Sequence, residues 1–194
     1  MPQLTIVIGS TRPNRAGLPI GTWFHGFAAR HGQFETKLVD LGALGLPLLD
    51  EAEHPRLRRY QHDHTRTWSA TVAGSDAFVF VTPEYNFSAS PALLNAIDYL
   101  FTEWHYKPVG FVSYGGLSGG MRSVQMAKML VTSVRMMPLP EAVTIANFAQ
   151  QMDAGVFKAT EANEKAGAVM LDELLRWSNA LATLRAPSAP RANG

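Results

Sequence analysis

The chain has 194 residues, of which 46% are apolar and 17% are charged, and its formal net charge is +1. This composition excludes a disordered chain and suffices for one domain with a sizeable core. A charge this close to neutral argues against a general nucleic-acid binder. The absence of cysteine excludes disulfides, thiolate metal sites and cysteine nucleophiles.

The two ends of the chain indicate its location and its domain boundary. The N-terminus leads straight into an apolar strand without the pattern of a signal peptide, and no apolar run is long enough to span a bilayer. We therefore expect a cytoplasmic protein that has neither a membrane nor a nucleic acid as its partner. Residues 1–184 are expected to form one domain, and residues 185–194, rich in Ala, Pro and Ser, a disordered tail.

Five short apolar runs alternate with helical patterns along the chain. The predicted strands are residues 4–8, 35–41, 77–81, 109–112 and 142–145, of which the second is the least continuous and fits a sheet edge. The predicted helices follow Gly17, begin at Pro55, and follow Ser90, Gly120 and Thr160, the last being an N-cap. This alternation predicts an α/β fold, in which helices cover both faces of a parallel sheet.

The loop after the first strand, GSTRPNRAG at residues 9–17, combines hydroxyls, an amide and two arginines. A strand that turns through such residues into a helix favours a bound anion, because the helix N-terminus and guanidinium groups attract it. The loop lacks the Gly-Lys-Ser/Thr ending of a Walker A motif and the G-x-G-x-x-G of a dinucleotide fingerprint. An ordinary βα turn is the alternative interpretation of this loop alone.

Two further loops also follow predicted strands, and ligands of parallel sheets bind beyond the carboxyl ends of the strands. In residues 82–91, Tyr85 can flank a planar ring and Asn86 can bond its polar edge. In residues 113–120, four glycines allow backbone N–H groups to approach a flat ligand. Taken singly, these loops also fit a capped turn and a flexible surface loop. Together with an anion site they suit a phosphorylated planar ligand, and FMN fits better than an adenine nucleotide because no magnesium-binding pair is evident.

Four motifs in a fixed order carry a resemblance to a known family. They are GSTRPNRAG at residues 9–17, PEYN at 83–86, PALLNAIDYL at 91–100 and KPVGFVSYGGLSGG at 107–120. With these motifs, residues 4–148 resemble the NADPH-dependent FMN reductases of the flavodoxin-like superfamily, which also includes quinone, chromate and azo-dye reductases. The resemblance implies a flavodoxin-like three-layer sandwich, a five-stranded parallel sheet of order 2-1-3-4-5, and a homodimer or homotetramer.

The resemblance also implies a bound FMN with three groups of contacts. Its phosphate would be held by Ser10, Arg12, Asn14, Arg15, Ala16 and Gly17. Its isoalloxazine and ribityl would be lined by Pro83, Glu84, Tyr85 and Asn86, and its pyrimidine edge bordered by Ser113, Tyr114, Gly115 and Gly116. Phe87 occupies a position where many members carry a small residue, so it is expected to affect the width of the acceptor pocket.

The activity implied is that of an FMN-dependent oxidoreductase. NADPH or NADH would pass hydride to the flavin N5 and leave before a small acceptor (a quinone, free flavin, azo compound or chromate) takes its place, in a ping-pong scheme. The chemistry belongs to the flavin, so no residue is predicted as a catalytic acid or base. Two alternatives are a flavodoxin-like electron-transfer protein, which the net charge of +1 disfavours, and a non-catalytic interaction protein on the same fold.

No metal site is predicted in this chain. His62 and His64 resemble a metal-binding pair, but residues two apart on a helix point in different directions. We therefore expect these two histidines to lie on a solvated face.

Overall fold

The computed structural model describes residues 1–185 as strands alternating with helices. The strands are β1 (Gln3–Ile8), β2 (Glu35–Asp40), β3 (Ala77–Pro83), β4 (Pro108–Tyr114), β5 (Met137–Ile145), β6 (Met152–Asp153) and β7 (Val156–Phe157). The helices are α1 (Gly17–His31), α2 (Leu41–Leu44), α3 (Asp63–Ala73), α4 (Pro91–Asp98), α5 (Met121–Ser133) and α6 (Glu161–Arg185). No helix within these residues combines the length and apolar character needed to cross a membrane.

The first five strands form one parallel sheet in the order β2-β1-β3-β4-β5, which confirms the predicted order 2-1-3-4-5. Every residue of β3 and β4 is buried, because their apolar side chains pack on both faces of the sheet. β2 lies at one edge and is half-exposed, as its broken apolar pattern predicted.

Two separate cores confirm the three-layer sandwich. On one face, α1 and α6 pack against the sheet, and Phe24 and Leu171 meet Ile6 in the core. On the other face, α3, α4 and α5 cover the sheet with side chains such as Trp68 and Val131. Both layers are needed because each of the central strands exposes apolar side chains on its two faces.

The prediction that a helix begins at Pro55 is wrong. Residues Pro55–Leu57 form only a 3-10 turn, and Arg58 follows with φ +53°, a left-handed conformation that ends it. The α-helix begins instead at Asp63. The segment predicted as a loop after β2 also contains the short α2, which is capped by Asp40 through the N–H of Gly42.

Two further differences lie in the second half of the chain. β5 begins at Met137 rather than at 142, and its pairing with β4 is irregular between Val109 and Phe111. The antiparallel hairpin β6–β7 was not predicted. Asn163 N–H donates to the Thr160 hydroxyl at 3.2 Å, which confirms Thr160 as a cap of α6.

The C-terminal helix extends one residue past the predicted domain boundary. Arg185 is the last residue of α6, and its guanidinium donates to Asp76 and to the Tyr106 carbonyl, both at 3.0 Å. Arg185 therefore belongs to the folded domain and not to the predicted tail. The rest of that tail, residues 186–194, lies outside the described residues.

Candidate functional site

Three loops meet at the carboxyl edge of the sheet, and backbone hydrogen bonds tie them together. The Gly9 N–H donates to the Val81 carbonyl at 2.9 Å, and the Glu84 N–H donates to the Tyr114 carbonyl at 3.3 Å. The Gly115 N–H donates to the Ile145 carbonyl at 3.2 Å. Loop positions far apart in the sequence are thus held against one another by the ends of neighbouring strands.

A cavity of about 370 Å³ lies between these loops. Its walls are Arg12, Pro13, Asn14, Arg15, Ala16, Pro83, Glu84, Tyr85, Tyr114, Gly115, Gly116 and Phe148. Ten of the fourteen residues predicted to bind a cofactor are among them. Ser10, Gly17 and Ser113 are buried, and Asn86 lines a neighbouring cavity that opens beside Tyr85.

Phe148 is a wall residue that the sequence analysis missed. It follows β5, and its ring makes an edge-on contact with Tyr114, with centroids 5.4 Å apart. The loop that carries Phe148 also follows a parallel strand, and ligands of parallel sheets bind beyond such strand ends. This loop has no polar or glycine-rich motif, so the sequence pattern did not indicate a binding residue there.

The base of the cavity is built around Gly17. A Cβ atom at this position would lie 2.3 Å from the Ser10 Oγ and 2.6 Å from the Tyr114 hydroxyl. Only a glycine therefore lets these two hydroxyls converge at the start of α1. Burial raises the pKa of Tyr114 to about 12, so its phenol stays protonated and can donate a hydrogen bond.

Two buried polar atoms at this end of the cavity lack a hydrogen-bond partner among the described residues. They are the Ser10 Oγ and the Arg15 Nε. Buried polar groups are almost always satisfied, so such atoms require an explanation. A bound anion between the two would supply it.

Asp40 holds the Arg15 side chain in place. Its guanidinium forms an ion pair with Asp40 at the end of β2, and both side chains are largely buried. A Cβ on Gly42 would lie only 2.8 Å from the Arg15 guanidinium, so this glycine leaves room for the group. Arg12 is exposed, and its guanidinium carbon lies 5.9 Å from the centroid of the Tyr85 ring.

The PEYN loop forms a tight hairpin that separates two cavities. Tyr85 and Ser88 exchange backbone hydrogen bonds of 3.0 and 2.9 Å. Beside the hairpin lies the second, open cavity of about 700 Å³, whose walls include Arg12, Tyr85, Asn86 and Pro91. Arg12, Glu84 and Tyr85 line both cavities.

Glu84 is engaged by two residues that the sequence analysis did not single out. The Arg122 Nε donates to Glu84 Oε1 at 2.6 Å, and the Ser118 hydroxyl donates to Oε2 at 3.0 Å. Burial opposes the charge on Glu84, but these hydrogen bonds outweigh it, and the pKa of Glu84 lies below its usual value. The carboxylate is therefore a fixed anion in the wall, and no free base is available there.

The histidine pair lies away from these cavities. His62 precedes α3 rather than lying within it, and its ring stacks on that of His64 with centroids 5.1 Å apart. The expectation that the two rings point in different directions is therefore wrong. His64 hydrogen-bonds Asp50 at 3.0 Å, yet within residues 1–185 no group of three or more potential ligands could hold a metal ion.

FMN fits these cavities on the chemistry of their walls. One end offers two guanidinium groups, two hydroxyls and the start of α1, which suit a phosphate. The other end offers the exposed backbone of Gly116, where a side-chain carbon would meet no atom within 4 Å. A flat ring can therefore approach the chain closely there.

Comparison with known proteins assigns the chain to a family. Its residues 2–150 match the model of the family described as NADPH-dependent FMN reductase. It is 36% identical over 147 residues to an NAD(P)H-dependent FMN reductase of Schizosaccharomyces pombe, covering 74% of each chain. It is 31% identical over 152 residues to a quinone reductase of Pseudomonas putida, covering 72% of this chain and 76% of the other.

The fold has a counterpart among solved structures. The flavoenzyme FerB of Paracoccus denitrificans, an NAD(P)H:(acceptor) oxidoreductase, superposes with a TM-score of 0.72 at 22% identity. The superposition covers 93% of this chain and 98% of that one. Fold, loop geometry and sequence matches agree, and the chain belongs to the family of NADPH-dependent FMN reductases.

Proposed function

We propose that this protein binds FMN between the three loops and uses it to pass reducing equivalents from NADPH or NADH to a small acceptor. The observation that carries the proposal is the pair of unsatisfied buried atoms, Ser10 Oγ and Arg15 Nε. They lie at the start of α1, where a phosphate would complete their hydrogen bonds. The S. pombe and P. putida relatives, named for flavin and quinone reduction, support the same activity.

Each wall of the site has a proposed role toward the cofactor. The phosphate is held by Ser10, Arg12, Asn14, Arg15, Ala16 and Gly17. The isoalloxazine and ribityl are lined by Pro83, Glu84, Tyr85 and Asn86, and the pyrimidine edge is bordered by Ser113, Tyr114, Gly115 and Gly116. Because the Gly115 N–H already donates to the Ile145 carbonyl, the Gly116 N–H is the expected donor to that edge.

The protein's part in the reaction is to bind, orient and shield. FMN supplies a ring that takes up a hydride from NAD(P)H and passes the electron pair to the acceptor. With a quinone, one hydride from NAD(P)H and one proton from solvent give the hydroquinone and NAD(P)⁺. The open cavity beside Tyr85 is the proposed entry for both substrates in turn, and ping-pong kinetics are part of the proposal.

We also propose that the protein forms a homo-oligomer. Large apolar side chains stand exposed around the cleft and along α5, among them Phe87, Leu117, Met121 and Met129, which are 55–89% exposed. Such exposure is typical of an interface, and it supports a homodimer or homotetramer. We also propose a cytoplasmic location, where NADPH and NADH are available to the protein.

The substitution Arg12→Ala tests the phosphate contact. We expect FMN affinity to fall about 10- to 100-fold, because a charge-assisted hydrogen bond is lost, so the yellow colour is lost on desalting. Arg30→Ala, at an exposed position of α1, is the matched control and should retain FMN.

The wild-type protein separates the proposal from its alternatives. Purified protein that is yellow, is bleached by NADPH without oxygen and oxidises NADPH when a quinone is added supports the reductase. A yellow protein that NADPH does not bleach would indicate an electron carrier. A colourless protein that FMN cannot reconstitute would contradict the proposal outright.

A further inference from the structure

A further cavity, the basal cavity, lies at the edge of the sheet opposite the proposed FMN cleft. The cleft lies where β3 and β4 end, whereas the basal cavity lies where they begin, next to the end of α6. Because each of these two strands spans seven residues, roughly 20 Å separates the two cavities. The basal cavity has a volume of about 350 Å³, and its walls include Arg58, Glu103, His105, Tyr106, Lys107 and Arg185.

Positive charge exceeds negative charge around the basal cavity. Its walls carry three cationic side chains, those of Arg58, Lys107 and Arg185. Among the described residues that line it, only Glu103 is anionic. Just outside the walls, the charges of Arg135 and Asp76 cancel each other. An excess of two positive charges therefore remains, in a chain whose formal net charge is +1.

The carboxylate of Glu103 is already engaged within the protein. It accepts hydrogen bonds from the hydroxyls of Ser69 and Tyr60, at 2.7 and 2.8 Å. The Arg58 Nε lies 3.2 Å from the same carboxylate, whose side chain is only 1% exposed. Glu103 is therefore not free to pair with the other cations of the basal cavity.

Lys107 is buried with an unused hydrogen-bond donor. The residue is 5% exposed, and its ammonium donates to the carbonyls of Val72 and Ala73 at 2.6 and 3.1 Å. An ammonium carries three donors, and the described residues supply no third acceptor. Burial and the charge of Arg185 lower the pKa of Lys107 to about 8. An anion in the cavity would accept from the third donor and would offset the charge of Arg185.

His105 contributes an unsatisfied atom to the same wall. Its Nε2 is buried and has no hydrogen-bond partner among the residues that the structure describes. Burial and the charge of Arg135 lower the pKa of His105. Buried polar atoms are almost always satisfied, so an orphaned one on the wall of a cationic cavity indicates a missing polar partner.

Strained backbone is concentrated at the basal cavity. Arg58 and Tyr106, both on its wall, have φ values of +53° and +60°. Arg135, whose guanidinium donates to the Tyr106 hydroxyl at 3.3 Å, has φ +59°. Left-handed angles are uncommon for residues other than glycine, and such strain clusters at binding sites.

We propose that the basal cavity binds a phosphate group, either free phosphate or the phosphate of a small ester, as a second ligand separate from FMN. A phosphate monoester carries a charge of about −1.5 to −2 at neutral pH, which matches the local excess of two positive charges. Guanidinium groups such as those of Arg58 and Arg185 bind phosphate oxygens in pairs. The half-exposed Leu184 on the same wall offers apolar contact to the organic part of an ester.

The test is a calorimetric titration with inorganic phosphate and with phenyl phosphate in protein saturated with FMN. Bound FMN keeps either probe out of the cleft. The substitution Arg58→Asn removes a cation and places at φ +53° a residue that tolerates this angle. We expect it to weaken binding about tenfold, because a charge-assisted hydrogen bond is lost. Tighter binding of phenyl phosphate would identify an ester as the ligand, and equal binding would identify the free ion.

The neighbouring residue gives the matched control. Arg59 is more exposed than Arg58, pairs with Glu53 at 3.6 Å and does not line the basal cavity. Arg59→Asn should leave the affinity for both probes unchanged. An equal loss in Arg58→Asn and Arg59→Asn, or unchanged affinity in Arg58→Asn, would overturn the inference.

A spectroscopic measurement on the wild type locates the ligand without a destabilising substitution. The ring signal of His105, identified by its loss in His105→Gln, should shift in NMR spectra as phosphate is added. The pKa of His105 should rise at the same time, because a nearby anion favours the charged imidazole. No heat of binding with either probe up to about 10 mM, or a His105 signal that does not move, would overturn the inference and leave the proposed FMN site unaffected.

Discussion

The Ser10 Oγ lies 2.3 Å from the point that a side-chain carbon on Gly17 would occupy. Ser10 is the second residue after β1, and Gly17 begins α1, so this close approach sets the distance between the strand end and the helix. It also brings the Ser10 hydroxyl to the start of the helix, where N–H groups are unpaired. The end of the cleft that we propose to bind the FMN phosphate depends on the absence of a side chain at Gly17.

The substitution Gly17→Ala should therefore damage the site and the fold together. The added methyl group would overlap Ser10 and Tyr114, which costs about 1–3 kcal/mol of unfolding free energy. FMN retention should fall with it, because the Ser10 hydroxyl must move. Urea unfolding and the FMN dissociation constant measure the two effects.

A matched glycine in the same helix gives the control. Gly26 has only the mobile end of Arg30 near its missing Cβ, at 3.5 Å. Gly26→Ala should raise stability by up to about 1 kcal/mol, through helix propensity. Equal effects of the two substitutions would show that helix propensity, rather than contact with Ser10, explains the result.

Glu103 should make the stability of the protein depend on acid pH. Burial opposes its ionisation, but hydrogen bonds from Ser69 (2.7 Å) and Tyr60 (2.8 Å) and the charge of Arg58 hold its pKa below the ordinary value of 4.5. A carboxyl with a depressed pKa stabilises the fold above its unfolded pKa, and this stabilisation is lost as the pH falls through the folded pKa. Wild type should therefore lose stability below pH 4.5.

The substitution Glu103→Gln tests this dependence. Gln keeps an oxygen that can accept from Ser69 and Tyr60, so the protein should fold with about 1–3 kcal/mol less stability at pH 7. Unfolding in urea between pH 3 and 7 should show the difference shrinking below pH 4.5. A difference that stays constant over this range would contradict the assignment.

Lys107 should make the stability of the protein depend on alkaline pH. Its ammonium donates to the carbonyls of Val72 and Ala73 at the end of α3, at 2.6 and 3.1 Å. Burial lowers the pKa of Lys107 to about 8, from an ordinary value of 10.5. Between these two values the unfolded chain binds more protons than the folded one, so stability contributed by this group rises with pH.

The substitution Lys107→Met removes the titrating group. Between pH 8 and 10.5, wild type should gain stability over this variant by up to about 1.4 kcal/mol per pH unit. Equilibrium unfolding in urea across that range measures the unfolding free energy of wild type minus that of the variant. If this difference does not rise with pH, the ammonium is not buried in the way the structure indicates.

The errors of sequence interpretation have identifiable physical causes. Pro138 and Pro140 concealed the first half of β5, and prolines are tolerated there because β5 lies at the sheet edge. The expected helix at Pro55 failed because Arg58 takes a left-handed conformation, which no local pattern announced. The misplaced helix start also made the orientation of His62 relative to His64 wrong.

The sequence by itself determined the alternation of the five sheet strands with the major helices and the meeting of the three loops at one edge of the sheet. These features depend on short-range patterns and on the rule that parallel strands end at a common edge. Local residues such as Gly9 and Ser10 are enough to signal the turn that follows β1.

Only the tertiary structure decided which charges pair and which atoms are left without a partner. Asp40 holds Arg15, and Arg122 joins Glu84 to Phe87, across 25 and 38 positions of chain. Such choices depend on strand register and side-chain packing in three dimensions, because several carboxylates and guanidinium groups could pair equally well along the sequence. The cleft is predictable from local patterns, whereas the shape and charge of its walls are set by contacts between distant segments.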